Sequence, residues 1–301
     1  MYTILECPAC ESVPNRTSPF LADYAVGASV APSRLVECSS CGLRLFDARL
    51  TDDEVNRLYA GYRGNRFYSC CQHHKFWHTK AVNQRIGRDP LEISARTRAS
   101  ERFLHRHLAP EAIGRVPDDG GDRGQFIPSS VGREKFVFEI SDAVPVEGVR
   151  QVSTESELPG YCFDLVMLCD VLEHSSDPGS LVWRLKRALA GNATWFYIKV
   201  RFERASLAWA GRSRWQERYL AWMVGRRWAW TIADFYSTVC RVRWDVVPPL
   251  GVLKCHEHLS FFDEQSLRVL LERSGFQVAG CQVGEIRSRS GVTSVMQALA
   301  R

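Results

Sequence analysis

The chain has 301 residues, 45% hydrophobic and 24% charged, a balance that excludes disordered and fibrous classes. That length supports one large core, or one core with a small module beside it. The net charge of +5 is unevenly placed: residues 201–243 carry nine Arg against Glu203, Glu217 and Asp234, leaving the remainder at −1. Residues 1–7 show neither a basic leader nor an apolar run, so no signal peptide is expected. No stretch of about 18 apolar residues occurs, so no membrane span is expected either. Both expectations place the chain in the cytoplasm, where its eleven cysteines stay reduced. The odd count argues against a disulfide framework and for metal binding.

Four regions follow in chain order. Residues 1–48 hold two Cys-x-x-Cys knuckles, Cys7-Pro8-Ala9-Cys10 and Cys38-Ser39-Ser40-Cys41, separated by 27 residues. A two-residue spacer lets both sulfurs of one turn face one ion, and two such turns complete a tetrahedral S4 site. Cys7, Cys10, Cys38 and Cys41 are therefore read as ligands of a structural Zn2+ in a small ribbon, whose folding is tied to the ion. Residues 49–110 read as a polar helical linker that would cover a cofactor. Within it, Cys70, Cys71, His73, His74 and His78 suggest a second metal site only weakly. Adjacent cysteines diverge and do not readily share an ion, so a structural role is preferred.

Residues 111–301 alternate short apolar runs with helix-compatible segments, the pattern of a parallel α/β sheet. Ala112–Val116 is a short candidate strand, and Phe163–Cys169 is the strongest, apolar enough to be buried on both faces. Leu181, Leu185 and Leu189 then recur at helical spacing before the strand Thr194–Val200. Glu264–Arg273 reads as a last helix, closed by Ser274-Gly275 and followed by a strand over Phe276–Val283. The segment Val116–Gly124 is turn-rich, with glycines that let backbone approach a ligand. Twenty-one residues after Asp118 the apolar run Phe136-Val137-Phe138 ends at Glu139, an acid placed to accept ribose hydroxyls. The helix expected after the loop, Gln125–Lys135, carries Pro128 and Gly132 and should be short or broken.

The block from Cys162 to Pro178, with its Phe-Asp-Leu-Val start and Asp170-Val171-Leu172-Glu173-His174 turn, resembles the fourth-strand signature of class I S-adenosylmethionine-dependent methyltransferases. His256-Glu257-His258-Leu259-Ser260-Phe261-Phe262 and Ser274-Gly275-Phe276 resemble that family's later segment. The two knuckles, followed by Leu58-Tyr59 and Tyr62-Arg63, are similar to a subgroup with an N-terminal zinc ribbon. The resemblance implies a Rossmann-like seven-stranded sheet joined to the ribbon, with S-adenosylmethionine (SAM) as cofactor. It implies that Asp118, Gly120 and Gly124 form the loop under the methionine portion, that Glu139 holds the ribose, and that Asp170 lies beside the cofactor. Ser153 to Glu155 would lie near the adenine. Two departures are noted: Asp122 stands where such loops carry glycine, and Pro117 where they carry an aliphatic residue.

Methyl transfer is an in-line displacement that needs alignment and, for a hydroxyl acceptor, a base. His174 and His258 are the candidates, each set against the blander role of a histidine that caps a turn. Residues 201–255 hold six Trp among the Arg, with Trp215, Tyr219, Trp222 and Met223 on one helical face. That segment is expected to be a lid whose apolar side packs inward and whose Arg are solvated. Its Arg would alternatively bind the diphosphate of a nucleotide-linked sugar, or rest weakly on a membrane surface near a lipid-linked one. Duplex nucleic acid is disfavoured because the rest of the chain is not basic. The leading expectation is SAM-dependent O-methylation of a small molecule or sugar/glycan precursor. Its rivals are a non-catalytic scaffold that kept the fold, and an RNA methyltransferase.

Overall fold

The computed structural model describes residues 2–3, 5–23, 31–62, 64–74, 78–141, 143–154, 157, 160–188, 194–205, 214–248, 251–254, 258–288 and 291–301. In chain order, β1 (Tyr2–Thr3), β2 (Arg16–Asp23), β3 (Ala31–Glu37), β4 (Arg44–Phe46) and β5 (Ala48–Arg49) lead into α1 (Asp52–Ala60), α2 (Asn65–His74) and α3 (Lys80–Arg85). Next come α4 (Pro90–Leu104), β6 (Arg115–Asp119), β7 (Glu134–Phe138), β8 (Val149–Val152) and β9 (Leu165–Cys169). A 3-10 turn (Leu172–His174) precedes α5 (Pro178–Ala188) and β10 (Trp195–Arg201). Then follow β11 (Arg204–Ala205), α6 (Arg214–Val224), α7 (Arg227–Trp244), β12 (Val246–Val247), β13 (Val252–Lys254) and β14 (Ser260–Phe261). The chain closes with α8 (Glu264–Arg273), β15 (Val278–Ser288) and β16 (Gly291–Ala300).

These elements form two compact units that are not consecutive stretches. The first gathers residues 1–86, 173–176 and 202–262; the second gathers 87–172, 177–201 and 263–301. Pairing explains why 202–262 joins the N-terminal residues. β13 adds parallel to β2, and β14 adds antiparallel to β4, giving a five-stranded sheet in the order β13-β2-β3-β4-β14. Helix α1 starts sharply because Thr51 and Glu54 form a reciprocal capping box, and it lays Leu58 into a core with Leu35, Phe46, Leu253 and Phe261.

In this unit the expected packing of the lid helix is corrected. On α6 the buried residues are Gln216, Leu220 and Met223, whereas Trp215 is 78% exposed and Tyr219 and Trp222 also face outward. Leu220 and Met223 meet Ala229, Trp230, Ala233 and Val252 in one buried cluster, and Trp215 and Trp222 lie on the other side of α6.

The second unit is the expected α/β sheet, ordered β8-β7-β6-β9-β10-β16-β15. The strands from β8 to β10 run parallel, β16 lies antiparallel to β10, and β15 antiparallel to β16. β9 is buried at all five positions, as its unbroken apolar run requires. The chain winds outward from β6 through β7 to β8, then restarts beside β6 at β9 and winds the other way. Ligands bind at such a switch point, outside the carboxyl ends of the flanking strands. Asp118 and Asp119 end β6, and Asp170 follows β9 directly. The strand expected over residues 112–116 lies three residues later, because residues 110–112 form a 3-10 turn. Helix α8 runs as expected, capped by Asp263 and ended by Gly275 at φ 80°. Residues 125–133 form turns instead of a helix, since Pro128 lacks an N–H and Gly132 takes φ 78°.

Candidate active site

The four knuckle cysteines converge. Cys7 Sγ lies 3.6 Å from Cys41 Sγ, Cys10 Sγ lies 3.3 Å from Cys38 Sγ, and all four sulfurs fall within 4.8 Å of one another. Tetrahedral zinc with bonds of about 2.3 Å would space its sulfurs about 3.8 Å apart, so the cluster has zinc-ribbon geometry. Each knuckle is closed by an N–H onto its first cysteine's carbonyl, from Glu11 to Cys7 at 2.7 Å and from Gly42 to Cys38 at 2.8 Å. Both closing residues adopt positive φ. The hydrogen bond from Cys41 lowers the Cys7 thiol to about 5, while that bond and burial drive Cys41 upward. A pocket that favours a thiolate beside further thiols suits a soft cation. The weaker cluster divides: His78 is buried against Asn83, with Nε2 3.2 Å from Oδ1, which is a structural role. The side chains of Cys70, His73 and His74 lie outside the described residues.

In the seven-stranded unit the loop after β6 turns through Gly120 (φ 68°) and Gly124 (φ 73°). A Cβ at Gly120 would stand 2.6 Å from Val171 Cγ2, and one at Gly124 2.7 Å from Val149 Cγ1, so only glycine fits. Asp122, where related loops carry glycine, adopts φ 57° all the same. It is held there because its N–H donates to Glu139 Oε2 at 2.9 Å and its carboxylate accepts from Gln125 Nε2 at 2.9 Å. Glu139 Oε1 accepts the Ser141 N–H at 3.0 Å, so two backbone bonds fix this carboxylate. Further lone pairs remain for a diol.

Asp118 is fully buried, and neither carboxyl oxygen has a hydrogen-bond partner among the described residues. Burial pushes it up to about 8, against the pull of Lys199. Such an orphaned buried acceptor is expensive unless a ligand satisfies it. Asp170, at φ 60°, ion-pairs with Arg96 and with Lys199 Nζ at 3.1 Å, and its N–H donates to the Lys199 carbonyl at 2.7 Å. Burial opposes ionisation of Asp170, but Arg96 and Lys199 outweigh it and hold the carboxyl below the usual range. Arg96 also stacks over Phe126, 3.8 Å from the ring centroid. Sequence reasoning missed both cations. Lys199 was legible as the one charge inside an apolar strand, whereas Arg96 is one of many helical arginines and gave no signal.

In the first unit His174 and His258 come together, with ring centroids 5.2 Å apart. Their segments are joined by the Leu259 N–H donating to the Glu173 carbonyl at 2.8 Å. Fully buried Arg49 clamps the same segments: it donates to the Ser175 and Ser176 carbonyls at 2.6 and 2.5 Å, to the Leu259 carbonyl at 3.3 Å and to Ser260 Oγ at 3.0 Å. His258 Nδ1 lies 3.2 Å from Glu203 Oε2, and Arg241 Nε donates to both Glu203 oxygens at 3.1 and 3.3 Å. Arg241 Nη2 is also 3.2 Å from Nδ1, but the carboxylate favours the tautomer with the proton on Nδ1. Tyr59 meets His174 edge-on, with centroids 5.8 Å apart. Donor atoms of Glu173, His174 and His258 lie within 4.8 Å of one another, close enough to share a proton or a cation. Ser153 and Thr154 follow β8; Glu155, His256 and Glu257 lie outside the described residues.

A doubly wound sheet of this strand order, with an acid and a glycine turn after its first strand and acids ending its second and fourth, defines a class I methyltransferase of the SAM-dependent type, here preceded by a four-cysteine ribbon. A family model described as "Methyltransferase domain" matches residues 92–279, more than half of the chain, and the protein belongs to that family. No curated protein matches the chain.

Similar solved structures include Burkholderia thailandensis 1,6-didemethyltoxoflavin-N1-methyltransferase with bound 1,6-didemethyltoxoflavin and S-adenosylhomocysteine (16% identity, 88% of this chain and 96% of that one, TM-score 0.45). They also include magnesium protoporphyrin IX methyltransferase from Synechocystis PCC 6803 with bound SAM (12%, 84% and 99%, 0.44). A third is a SAM-dependent methyltransferase from Leishmania major (11%, 95% and 97%, 0.48).

Proposed function

We propose that the protein works in the cytoplasm and methylates a hydroxyl of a small molecule or a sugar/glycan precursor, such as a nucleotide- or lipid-linked sugar, with His258 as base. The observation that carries this reading is the Glu203–His258 pair beside His174, a carboxylate orienting an imidazole through Nδ1.

SAM, when bound, supplies an electrophilic sulfonium methyl. Asp118, Gly120 and Gly124 would hold its methionine portion, Glu139 its ribose hydroxyls, and Asp170 would lie beside it. The orphaned oxygens of Asp118 and the crowded glycines support that fit. His258 would take the acceptor's hydroxyl proton at Nε2, which leaves the oxygen as the nucleophile. Glu203 steadies the imidazolium that results, and Arg241 pairs with Glu203 and keeps it aimed. His174 holds the acceptor hydroxyl against His258. The four cysteines carry one structural Zn2+, so one zinc per chain is expected, and none after Cys38→Ser.

His258→Gln is expected to lower kcat by ~10²-fold or more with KM little changed, and His174→Gln less. An effect confined to KM rejects the base role. A scaffold reading draws support from Asp122 in the cofactor loop; turnover with any acceptor refutes it.

A further inference from the structure

We infer that α6 and α7 form a docking face for an anionic lipid surface, on which they lie without crossing. Along α7, Trp228, Ile232, Phe235, Val239 and Val242 recur at spacings of four and three residues, which places them on one stripe of the helix. They are 38–62% exposed over their whole run, while Ala229, Trp230, Ala233, Ser237 and Cys240 bury the opposite side. The helix therefore has two apolar faces, and only one serves the core. Trp222 of α6 meets Trp228 of α7 edge-on, with centroids 5.7 Å apart, which carries the exposed stripe across the turn at residues 225–226 onto the second helix. An exposed patch of this extent marks an interaction surface.

Charge decides what that surface fits. Five exposed arginines (214, 218, 226, 227 and 243) rim the two helices against one exposed carboxylate, Glu217. Asp234 is buried on the far side, and Arg241 is buried with Glu203. Arg226 sits over Trp222, 5.0 Å from the ring centroid, so its charge is held at the edge of the apolar face.

A second copy of the chain is disfavoured by the same residues. An antiparallel pairing centred on Phe235 would set Arg227 of one copy against Arg243 of the other, and a parallel pairing would set each arginine against itself. Like charges so placed repel. Anionic headgroups neutralise the rim, and the interfacial layer takes Trp and Tyr, whose rings are apolar with a polar edge. No helix among the described residues is long and apolar enough to cross a membrane, so the contact is interfacial.

The test is sedimentation of the full-length protein, without SAM or acceptor, with phosphatidylcholine vesicles and with the same vesicles containing phosphatidylglycerol. Binding is expected only to the anionic vesicles and should fall with added salt. Arg226→Gln, Arg227→Gln and Arg243→Gln combined should weaken it roughly a hundredfold. Trp228→Ser with Phe235→Ser should weaken it more than tenfold. These positions are exposed, so far-UV circular dichroism and zinc content should stay unchanged. The inference is overturned if the protein ignores anionic vesicles, or if binding is indifferent to both sets of variants. It is equally overturned if sedimentation velocity shows a dimer that Phe235→Ser dissociates. Vesicle binding needs no turnover, so failure here leaves the methyl-transfer reading untouched.

Discussion

In the seven-stranded unit, Asp118 and Asp170 share a pocket with Lys199 and Arg96; in the other unit, Glu203 and Arg241 share one with His258. Each brings full charges out of water, where an unpaired ion is costly. They differ in what remains after pairing. In the first, Asp170 is matched by both cations, while the oxygens of Asp118 have no hydrogen-bond partner among the described residues. In the second, Arg241 pairs with Glu203, and Glu203 in turn faces the imidazole of His258. On the proposed reading, the first arrangement receives the cofactor and the second moves a proton. One lies at the switch point of the seven-stranded sheet, the other on loops clamped by Arg49.

The largest expected effect comes from breaking the first arrangement. Lys199→Met leaves Asp118 and Asp170 short of a cation in a buried site, at a cost of about 3–5 kcal/mol, measurable by urea denaturation. A loss below about 1 kcal/mol would show that Lys199 is not the counter-ion of this cluster. Arg49→Met strikes the second arrangement indirectly. Four acceptors lose a charged donor, for a loss of roughly 3 kcal/mol and a fall of about 10 °C in Tm. Because Arg49 holds both histidine segments, kcat of the surviving folded enzyme should fall too; an unchanged kcat would detach the clamp from the chemistry.

A smaller effect sharpens the contrast through pH. Burial raises Asp118 to about 8. Between the ordinary carboxylate range and that value, the folded ligand-free protein keeps a proton that the unfolded chain has released. Stability from this group is therefore full at low pH and is lost as pH rises through about 8. Asp118→Asn should remove that slope, so the variant gains on the parent in Tm as pH rises from 5 to 8. Parallel curves would mean that Asp118 is already ionised in the folded state.

The centre of the sheet was legible in the sequence because β9 is buried at every position and β10 at nearly all, and both read as apolar runs. The ribbon was legible from cysteine spacing alone. The packing of α6 was not: Trp215, Tyr219 and Trp222 fall on one face, but periodicity does not say which of two apolar faces meets the core. The grouping of 202–262 with the N-terminal residues was hidden for another reason. Strand pairing between β13 and β2 joins residues more than two hundred positions apart and leaves no local trace. Among site residues, Glu139 stood out by ending an apolar run, and Asp170 through the resemblance of the Asp-Val-Leu-Glu-His turn. Arg96, Glu203 and Arg241 act by being buried near another charge, which no spacing reveals.

Calorimetry of the folded, full-length protein with SAM and S-adenosylhomocysteine tests the central claim most directly. One saturable site per chain is expected for both ligands, weakened about 10–100-fold by Glu139→Ala, which removes the acceptor proposed for the ribose hydroxyls. Absence of binding to either ligand at millimolar concentration, with the protein shown to be folded, would contradict the account.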